Sequence, residues 1–252
     1  MELFSLKGKT AIVTGGNKGL GLGMTVGLLK AGAKVCIMAS SDSVFTVAED
    51  LRGKDYEAYG VKCDLSKADS IEEGFNQALA ELGGRIDILV NNAGIVRRVV
   101  AENHPLSDWD DVINLNLRAT FIMSQLAGRR MIENGSGKII NTASMTSWFG
   151  SVKIPSYAAS KGGIAQLTKA LANEWASKGI NINAIAPGYM ATDMTASIAQ
   201  DQDNMNVINN RIPAKRWGSP EDLEGIAVFL ASKASDYING AVIPIDGGYL
   251  GR

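Results

Sequence analysis

The sequence predicts an α/β protein with a doubly wound, seven-stranded parallel sheet, helices on both faces, and a single domain. Short apolar runs alternate with longer stretches of helical periodicity, a pattern typical of parallel sheets. The runs are nearly continuous in apolar residues, as in residues 86–90, which favours strands buried on both faces. With 252 residues, 46% of them hydrophobic, and no linker or repeat, the chain can bury one sizeable core.

Seven runs are predicted to form the strands, near residues 10–14, 34–39, 57–63, 86–91, 137–143, 180–186 and 241–245. Right-handed crossovers place the intervening helices on the two faces of such a sheet. Ligands bind beyond the carboxyl ends of the strands, where the strand order reverses. Four residues lie at or just after predicted strand ends: Thr14, Asn92, Ser144 and Pro187. We therefore expect these residues to converge on one cleft.

A glycine-rich turn follows the first predicted strand. It reads Gly15-Gly16-Asn17-Lys18-Gly19-Leu20-Gly21, and a helical pattern continues to residue 30. A strand that enters a helix through glycines leaves backbone N–H groups and the positive end of the helix dipole free, which suits a pyrophosphate. The spacing differs from the more widely shared GxGxxG, but its place after the first strand favours a phosphate-binding turn.

Tyr157 and Lys161 are four residues apart in a stretch with helical periodicity. Positions i and i+4 share one face of a helix, so the phenol and the ammonium can face one pocket. A phenol with a pKa of about 10 is a poor acid or base at neutral pH, and a neighbouring cation lowers that pKa. We therefore expect Lys161 to make Tyr157 a workable proton donor. The spacing alone also fits an ordinary helix face, but Ser144 and Asn116 accompany it upstream.

These segments together resemble the short-chain dehydrogenase/reductase superfamily over essentially the whole chain. The resemblance implies a Rossmann fold and an NAD(P)-dependent enzyme that acts on CH–OH donors. The family's catalytic residues match Asn116, Ser144, Tyr157 and Lys161, and its glycine motif includes Thr14 and Gly21. The residues expected at the cofactor are Gly15, Asn17, Lys18, Gly19, Leu20, Ser40, Asp64, Leu65, Asn92, Ala93, Gly94, Tyr157, Lys161, Pro187, Gly188, Met190 and Thr192.

The resemblance also implies a mechanism. The nicotinamide carries the hydride, while Tyr157 gives a proton to the carbonyl oxygen in the reductive direction and its phenolate accepts one in the oxidative direction. Ser144 is expected to hydrogen-bond that oxygen, a role in which a preorganised donor contributes about 3 kcal/mol. Lys161 is expected to hold the nicotinamide ribose, and Asn116 to position a water that connects Lys161 to solvent. No metal site is expected.

The second strand favours NADP(H), with NAD(H) left open. Relatives that prefer NAD carry an acidic residue at its end, where this chain has Ala39. Lys18 occupies a position where NADP-preferring relatives often place a cation, and it could pair with the 2′-phosphate while Ser40 and Ser41 donate hydrogen bonds. The alternative for Lys18 is a solvated loop lysine.

Two adjacent arginines, Arg97 and Arg98, follow the Asn91-Asn92-Ala93-Gly94 motif. The planar fork of arginine holds a carboxylate bidentately, so a sugar acid is the favoured substrate. The chain resembles the 2-dehydro-3-deoxy-D-gluconate 5-dehydrogenase and gluconate 5-dehydrogenase group in residues 91–98, 109–116, 173–176, 183–192 and 211–218. The candidate substrate residues are Ser144, Tyr157, Arg97, Arg98, Trp148 and Tyr189.

Other substrates stay open at this point. Trp148 and Phe149, just after Ser144, could stack on a sugar or line a pocket for a steroid, or could serve packing or subunit contacts. The same chemistry on a hydroxysteroid, a polyol or a 3-oxoacyl compound is the alternative. A non-catalytic dinucleotide-binding protein is disfavoured because the four catalytic residues are intact. The Asp- and Asn-rich run 200–210 is expected to be a loop within a substrate lid near residues 190–215.

Charge and composition exclude several classes of partner. A net charge of −1 argues against nucleic-acid binding or membrane-surface binding. No apolar run reaches about 18 residues and no signal peptide is evident, so a cytoplasmic location is expected. Cys36 and Cys63 are expected to be buried thiols and His104 a surface residue. The family and the tail at residues 246–252 imply a homotetramer.

Overall fold

The computed structural model describes residues 2–195 and 202–251. Within these residues, seven parallel strands form one sheet in the order β3-β2-β1-β4-β5-β6-β7. The strands are β1 (Thr10–Thr14), β2 (Lys34–Ala39), β3 (Ala58–Lys62), β4 (Ile88–Asn91), β5 (Gly137–Thr142), β6 (Ile180–Pro187) and β7 (Val242–Ile245). The predicted fold class is confirmed, and each predicted run contains its strand to within two residues. The strand order reverses between β1 and β4, so the cleft is expected beyond the carboxyl ends of these two strands.

Helices cover both faces of the sheet. They are α1 (Gly19–Lys30), α2 (Ser43–Arg52), α3 (Ala68–Glu81), α4 (Leu106–Val112), α5 (Ala119–Glu133), α6 (Pro155–Trp175), α7 (Gln202–Arg211) and α8 (Glu224–Ala231). A π-helical turn, Ile113–Arg118, joins α4 to α5, and short 3₁₀ turns lie at Met145–Ser147 and Asp193–Thr195. No helix of the described ranges is long and apolar enough to cross a membrane.

The core has two halves, one on each face of the sheet. Successive strand residues point to opposite faces, so Ile12 packs with Phe75 of α3 and Met123 of α5, while Val13 packs with Leu28 of α1 and Leu230 of α8. All six side chains are almost completely buried. This double burial explains the continuous apolar runs of the strands.

A buried carboxylate lies at the amino end of the sheet. Asp87, 5% exposed in its side chain, accepts from Arg85 Nη2 at 2.7 Å and from Lys9 Nζ at 3.1 Å. It also accepts from Thr10 N and Thr10 Oγ1, each at 3.1 Å. Burial raises the pKa of Asp87, but the hydrogen bonds from Arg85, Thr10 and Lys9 outweigh it, so the pKa is lowered. The ion pairs therefore tie the starts of β1 and β4 together on the side opposite the cleft.

Two expectations are corrected by the structure. The run 200–210 is helical from Gln202, because the apolar side of α7 packs Ile208 into a buried cluster. Residues 196–201 of the expected lid lie outside the described residues. His104 is not a plain surface residue, since both of its ring nitrogens are buried and have no partner in the described part of the chain. The turn Ala101–Asn103 and α4 flank it on either side.

Both cysteines are buried, as expected, and free. Burial raises the pKa of Cys36 to about 12 and also raises that of Cys63. Neither thiol is therefore a nucleophile near neutral pH.

Candidate active site

The glycine turn is tied to the loop after β4 by a compact hydrogen-bond network. Thr14 Oγ1 accepts from Asn92 N at 2.9 Å and from Ala93 N at 3.1 Å. In return, Asn92 Nδ2 donates to Thr14 O at 3.1 Å and to Gly15 O at 3.2 Å. Two strand ends that meet where the strand order reverses are thus fixed relative to each other.

The start of α1 has the shape and polarity that a pyrophosphate requires. No side chain caps the helix at Lys18, so the first N–H groups of the helix face the cleft without a side-chain partner. Gly15 has a φ of +63°, and a Cβ on Gly21 would lie 2.1 Å from Gly15 O. A Cβ on Gly19 would lie 3.7 Å from Thr192 Cγ2, so the segment after β6 approaches the turn from above. The described residues therefore fit a dinucleotide here.

Asn116 lies on the π-helical turn and is completely buried. Its Oδ1 accepts from Ile95 N at 2.8 Å, and its Nδ2 donates to Ile95 O at 3.0 Å and to Ser160 Oγ at 3.1 Å. π-helical turns are frequent at functional sites. Here the side chain links the loop after Gly94 to α6. The water-mediated link to Lys161 stays a prediction.

Ser144, Tyr157 and Lys161 come together beside the end of β5. Ser144 begins the 3₁₀ turn Met145–Ser147, and its Oγ accepts from Thr146 N at 3.2 Å and hydrogen-bonds the phenol of Tyr157. Lys161 Nζ lies 5.6 Å from the centre of the Tyr157 ring and donates to Thr142 O at 2.5 Å. Ser147 Oγ donates to Lys161 O at 2.7 Å, which anchors this turn to α6.

The pKa of Tyr157 is raised, mainly by burial, while the Ser144 hydrogen bond and the charge of Arg98 lower it. The expected lowering of this pKa by Lys161 stays a prediction. Burial lowers the pKa of Lys161 to about 8. Lys161 is therefore still mostly charged near neutral pH, 5.6 Å from the centre of the Tyr157 ring. The charge of Arg98 acts on Tyr157 as well.

The two adjacent arginines have different surroundings. Arg97 Nη2 lies 3.3 Å from Asp111 Oδ2, and Arg97 Nε lies 3.6 Å from Asp108 Oδ1, both on α4. Arg98 is exposed, and its Nη2 donates to Met194 O at 3.5 Å. The charge of Arg98 acts on the proton donor. Arg97 is engaged by two carboxylates of α4, and its contact with the substrate stays a prediction.

An aromatic cluster borders the site, formed by Phe149, Tyr189, Trp217 and Tyr249. The Phe149 ring stacks on Tyr249 at 6.0 Å between centroids, and Tyr189 lies 5.6 Å from Tyr249 and 5.5 Å from Trp217. Phe149 thus packs within the protein, whereas Trp148 is 50% exposed. Sequence reasoning missed Tyr249 and Trp217 as site residues, since neither belongs to a catalytic motif.

Comparisons with known proteins agree with this geometry. A family model described as enoyl-(acyl carrier protein) reductase matches residues 15–250. The 2-dehydro-3-deoxy-D-gluconate 5-dehydrogenase of Escherichia coli K12 is 48% identical over 253 residues, which cover 100% of this chain and 99% of that protein. The chain belongs to the short-chain dehydrogenase/reductase family. It is an oxidoreductase, and the predicted resemblance is confirmed.

Two further members of the family are similar over nearly their whole length. Gluconate 5-dehydrogenase of Gluconobacter oxydans is 40% identical, over 98% of this chain and 96% of that protein. The crystal structure of a gluconate 5-dehydrogenase from Burkholderia cenocepacia in complex with NADP and tartrate has a TM-score of 0.96 and 36% identity. The match covers 100% of this chain and 98% of that one.

The adenosine end of this short-chain dehydrogenase/reductase is polar and open. Ser40 and Ser41 are exposed after β2, and Asn17 Nδ2 donates to Ser43 Oγ at 2.8 Å. Lys18 Nζ lies 3.8 Å from Asp193 Oδ2, and both side chains are largely exposed, so this ion pair is easily broken.

The remaining predicted cofactor residues also lie around this cleft. Asp64 accepts from Ser66 Oγ at 2.7 Å, which together with the Ser66 backbone lowers the pKa of Asp64, and the neighbouring Leu65 is buried. Beyond β6, Gly188 packs against the backbone of Asp246. Met190 pairs with Gly218 in a parallel bridge. No group of three or more His, Cys, Asp or Glu residues in the described ranges is placed to hold a metal.

Proposed function

We propose that the protein interconverts a hydroxyl and a ketone at C5 of a six-carbon sugar acid, using NADP(H). The similar proteins named above are dehydrogenases of gluconate or of 2-dehydro-3-deoxy-D-gluconate, and both names place the reaction at C5. The observation that carries the proposal is the placement of Arg98, an exposed guanidinium whose Nη2 donates to Met194 O after β6 and whose charge lowers the pKa of Tyr157. A cation close to the proton donor suits an anionic substrate better than a neutral one.

The residues around the cleft fit a nicotinamide dinucleotide, which supplies or accepts the hydride when bound. The free N–H groups at the start of α1 would hold the pyrophosphate, and Thr192 would help to close the cleft over it. Preference for NADP(H) is supported by Ala39 at the end of β2, by the exposed hydroxyls of Ser40 and Ser41, and by the loosely held Lys18. NAD(H) is the alternative that the assay must test.

The protein's own residues divide the proton chemistry between them. The raised pKa of Tyr157 keeps the phenol protonated at neutral pH, so the residue is ready to donate a proton in the reductive direction. Ser144, held by Thr146 N, is positioned to stabilise charge that develops on the substrate oxygen. Lys161, with a pKa of about 8, is mostly charged at pH 7 and can hold ribose hydroxyls. Oxidation requires the phenolate and should become faster as the pH rises.

A cofactor-oxidation assay tests the proposal. Purified protein is mixed with NADPH or NADH and with 5-keto-D-gluconate, a 3-oxoacyl thioester or a 3-ketosteroid. We expect NADPH oxidation to be fastest, by at least tenfold in kcat/KM, with the keto acid. A faster reaction with the steroid would contradict the sugar-acid proposal. It would indicate that Trp148, which is half exposed, lines a hydrophobic substrate pocket. No reaction with any ketone would support the non-catalytic alternative.

We also propose that the protein is a cytoplasmic homotetramer with a substrate lid near residues 190–215. Apolar side chains on α5, α6 and the π-helical turn support the assembly. Phe121 is 42% exposed, and Leu117, Leu167 and Ala170 line the same shallow depression. Closed twofold assemblies are common among soluble enzymes. Light scattering at micromolar concentration should give four times the chain mass of 26.7 kDa, and a monomer would exclude the assembly.

A further inference from the structure

Arg211, at the end of α7, is an exposed arginine that faces the aromatic cluster. Its guanidinium carbon lies 4.4 Å from the centre of the Tyr249 ring. The end of α7 that carries Arg211 is held in place by its buried neighbours, because Ile208 is 5% exposed and Ile212 is 1% exposed in the same cluster as Tyr249. A guanidinium stacked on an aromatic face is held in place and keeps its N–H groups free for a ligand.

Tyr189 is close to Arg211, because its ring lies 5.6 Å from the Tyr249 ring on which Arg211 stacks. Burial is the largest influence on its pKa and raises it, while the charges of both arginines lower it. Arg98 also lowers the pKa of Tyr157, which Arg211 does not. The two arginines therefore share Tyr189 as a neighbour, and Arg98 also acts on the proton donor Tyr157. Where the structure describes side chains, neither arginine forms an ion pair with a carboxylate.

We propose that Arg98 and Arg211 together bind the carboxylate of the substrate, with the Tyr189 hydroxyl as a third donor, and that Arg97 takes no part. This inference rests on the proposed sugar-acid function. Two nearby cations without a counter-ion repel each other, and a carboxylate between them removes that repulsion and accepts several charge-assisted hydrogen bonds. Arg97 differs because Asp108 and Asp111 already neutralise it.

The chemistry of the substrate agrees with this spacing. In a sugar acid that reacts at C5, four carbon–carbon bonds separate the reacting carbon from the C1 carboxylate. The anion-binding groups must therefore lie close to the proton donor without touching it. Arg98, whose charge acts on both Tyr157 and Tyr189, meets the first condition. Arg211 stacks on Tyr249, the ring beside Tyr189, and meets the second. The carboxylate thus sets which hydroxyl of the chain reaches Tyr157.

The test compares two substrates that differ only at C1. L-sorbose has a hydroxymethyl group where 5-keto-D-gluconate has its carboxylate. Arg211→Met removes the charge and keeps the apolar stem, and Arg98→Met does the same on the other side. Each change should raise KM for 5-keto-D-gluconate roughly ten- to a hundredfold, the value of a charge-assisted hydrogen bond. For Arg211→Met, kcat should stay nearly unchanged, and kcat/KM for L-sorbose should change less than about twofold. Arg98→Met should also change kcat, because the charge of Arg98 acts on Tyr157.

Further variants separate charge from packing. Arg211→Lys should recover part of the affinity, and Tyr189→Phe should weaken binding of the keto acid alone. Arg130→Met is the matched control, because α5 ends at the opposite edge of the sheet, before β5 begins. Melting temperatures show whether each variant folds.

Three results would overturn the inference. A wild-type enzyme that handles 5-keto-D-gluconate no better than L-sorbose would overturn the sugar-acid function and this site with it. A wild type that prefers the acid, combined with equal effects of Arg211→Met on both substrates, would overturn the site alone and indicate a packing role. A larger rise in KM from Arg97→Met than from Arg211→Met would assign the carboxylate to the adjacent pair.

Discussion

Replacing Gly21 by alanine should abolish tight dinucleotide binding, because the new methyl group has no space. Its Cβ would lie 2.1 Å from Gly15 O and 2.5 Å from Asn92 Nδ2. Neither atom can move freely, since Asn92 Nδ2 donates to both Thr14 O and Gly15 O. The glycine turn would have to move by about 1 Å to reach an ordinary contact distance, and the geometry that presents the helix N–H groups would be lost.

The expected magnitudes follow from these contacts. Overpacking of this kind costs about 1–3 kcal/mol, and breaking the Asn92 hydrogen bonds adds about 0.5–1.5 kcal/mol for each. The free energy of unfolding should therefore fall by about 2–6 kcal/mol in urea titrations. The Kd for NADPH, measured by fluorescence titration, should rise at least about tenfold, which corresponds to 1.4 kcal/mol.

Gly225 on α8 supplies a matched control. A Cβ at this position would meet nothing within 4 Å. Gly225→Ala should therefore leave NADPH binding unchanged and stabilise the fold by up to about 1 kcal/mol, since alanine favours helices more than glycine does. If Gly21→Ala bound NADPH as tightly as the wild type, the glycine turn would not hold the pyrophosphate and our interpretation of this edge of the sheet would be refuted.

Three further predictions concern the proton donor, the cofactor and acid stability. Tyr157→Phe should lower kcat at least about a hundredfold while NADPH binding survives in the same titration; near-normal turnover would contradict the mechanism. Lys18→Ala with Ser40→Asp should shift the ratio of catalytic efficiencies from NADPH toward NADH, and an unchanged ratio would exclude these residues as the selecting pair. Asp87→Asn should lower the free energy of unfolding at pH 7 by about 3 kcal/mol because Arg85 loses its buried partner. The folded-state pKa of Asp87 is lowered, so this difference should shrink as the pH falls below the unfolded value of about 3.9; a pH-independent difference would exclude the ion pair as its cause.

The sheet could be predicted from the sequence because its strands are buried on both faces. Burial leaves a continuous apolar run that needs no knowledge of the partner strand, as in β4, where Ile88, Leu89 and Val90 are all almost completely buried. The glycine turn could also be predicted, since its residue types follow from local backbone geometry. The apolar runs and the glycine turn are both patterns within short stretches of sequence.

Helix α7 was missed because its stability is not local. Asn and Asp are poor helix formers, and residues 200–210 contain six of them, so the run was expected to be a loop. Packing of Ile208 against the aromatic cluster stabilises the helix despite its low intrinsic helix propensity. The same helix carries Arg211, so an error about one element concealed a candidate substrate residue.

The arginines and the lysine show a second limit of sequence reasoning, which concerns charge. Adjacent residues such as Arg97 and Arg98 can have different surroundings, because carboxylates of α4 form ion pairs with Arg97.

The protonation of Lys161 depends on burial in the same way. A lysine one helical turn from a tyrosine favours the phenolate only while it keeps its own proton. Burial raises the pKa of Tyr157 and lowers that of Lys161 to about 8, so the two values move apart. At neutral pH the protein alone therefore holds a protonated phenol beside an ammonium, which is the arrangement of an acid ready to donate to a ketone. Because the charge of Arg98 lowers the pKa of this phenol, an anionic substrate that pairs with Arg98 would raise that pKa and keep the proton in place until the hydride transfer draws it to the substrate oxygen.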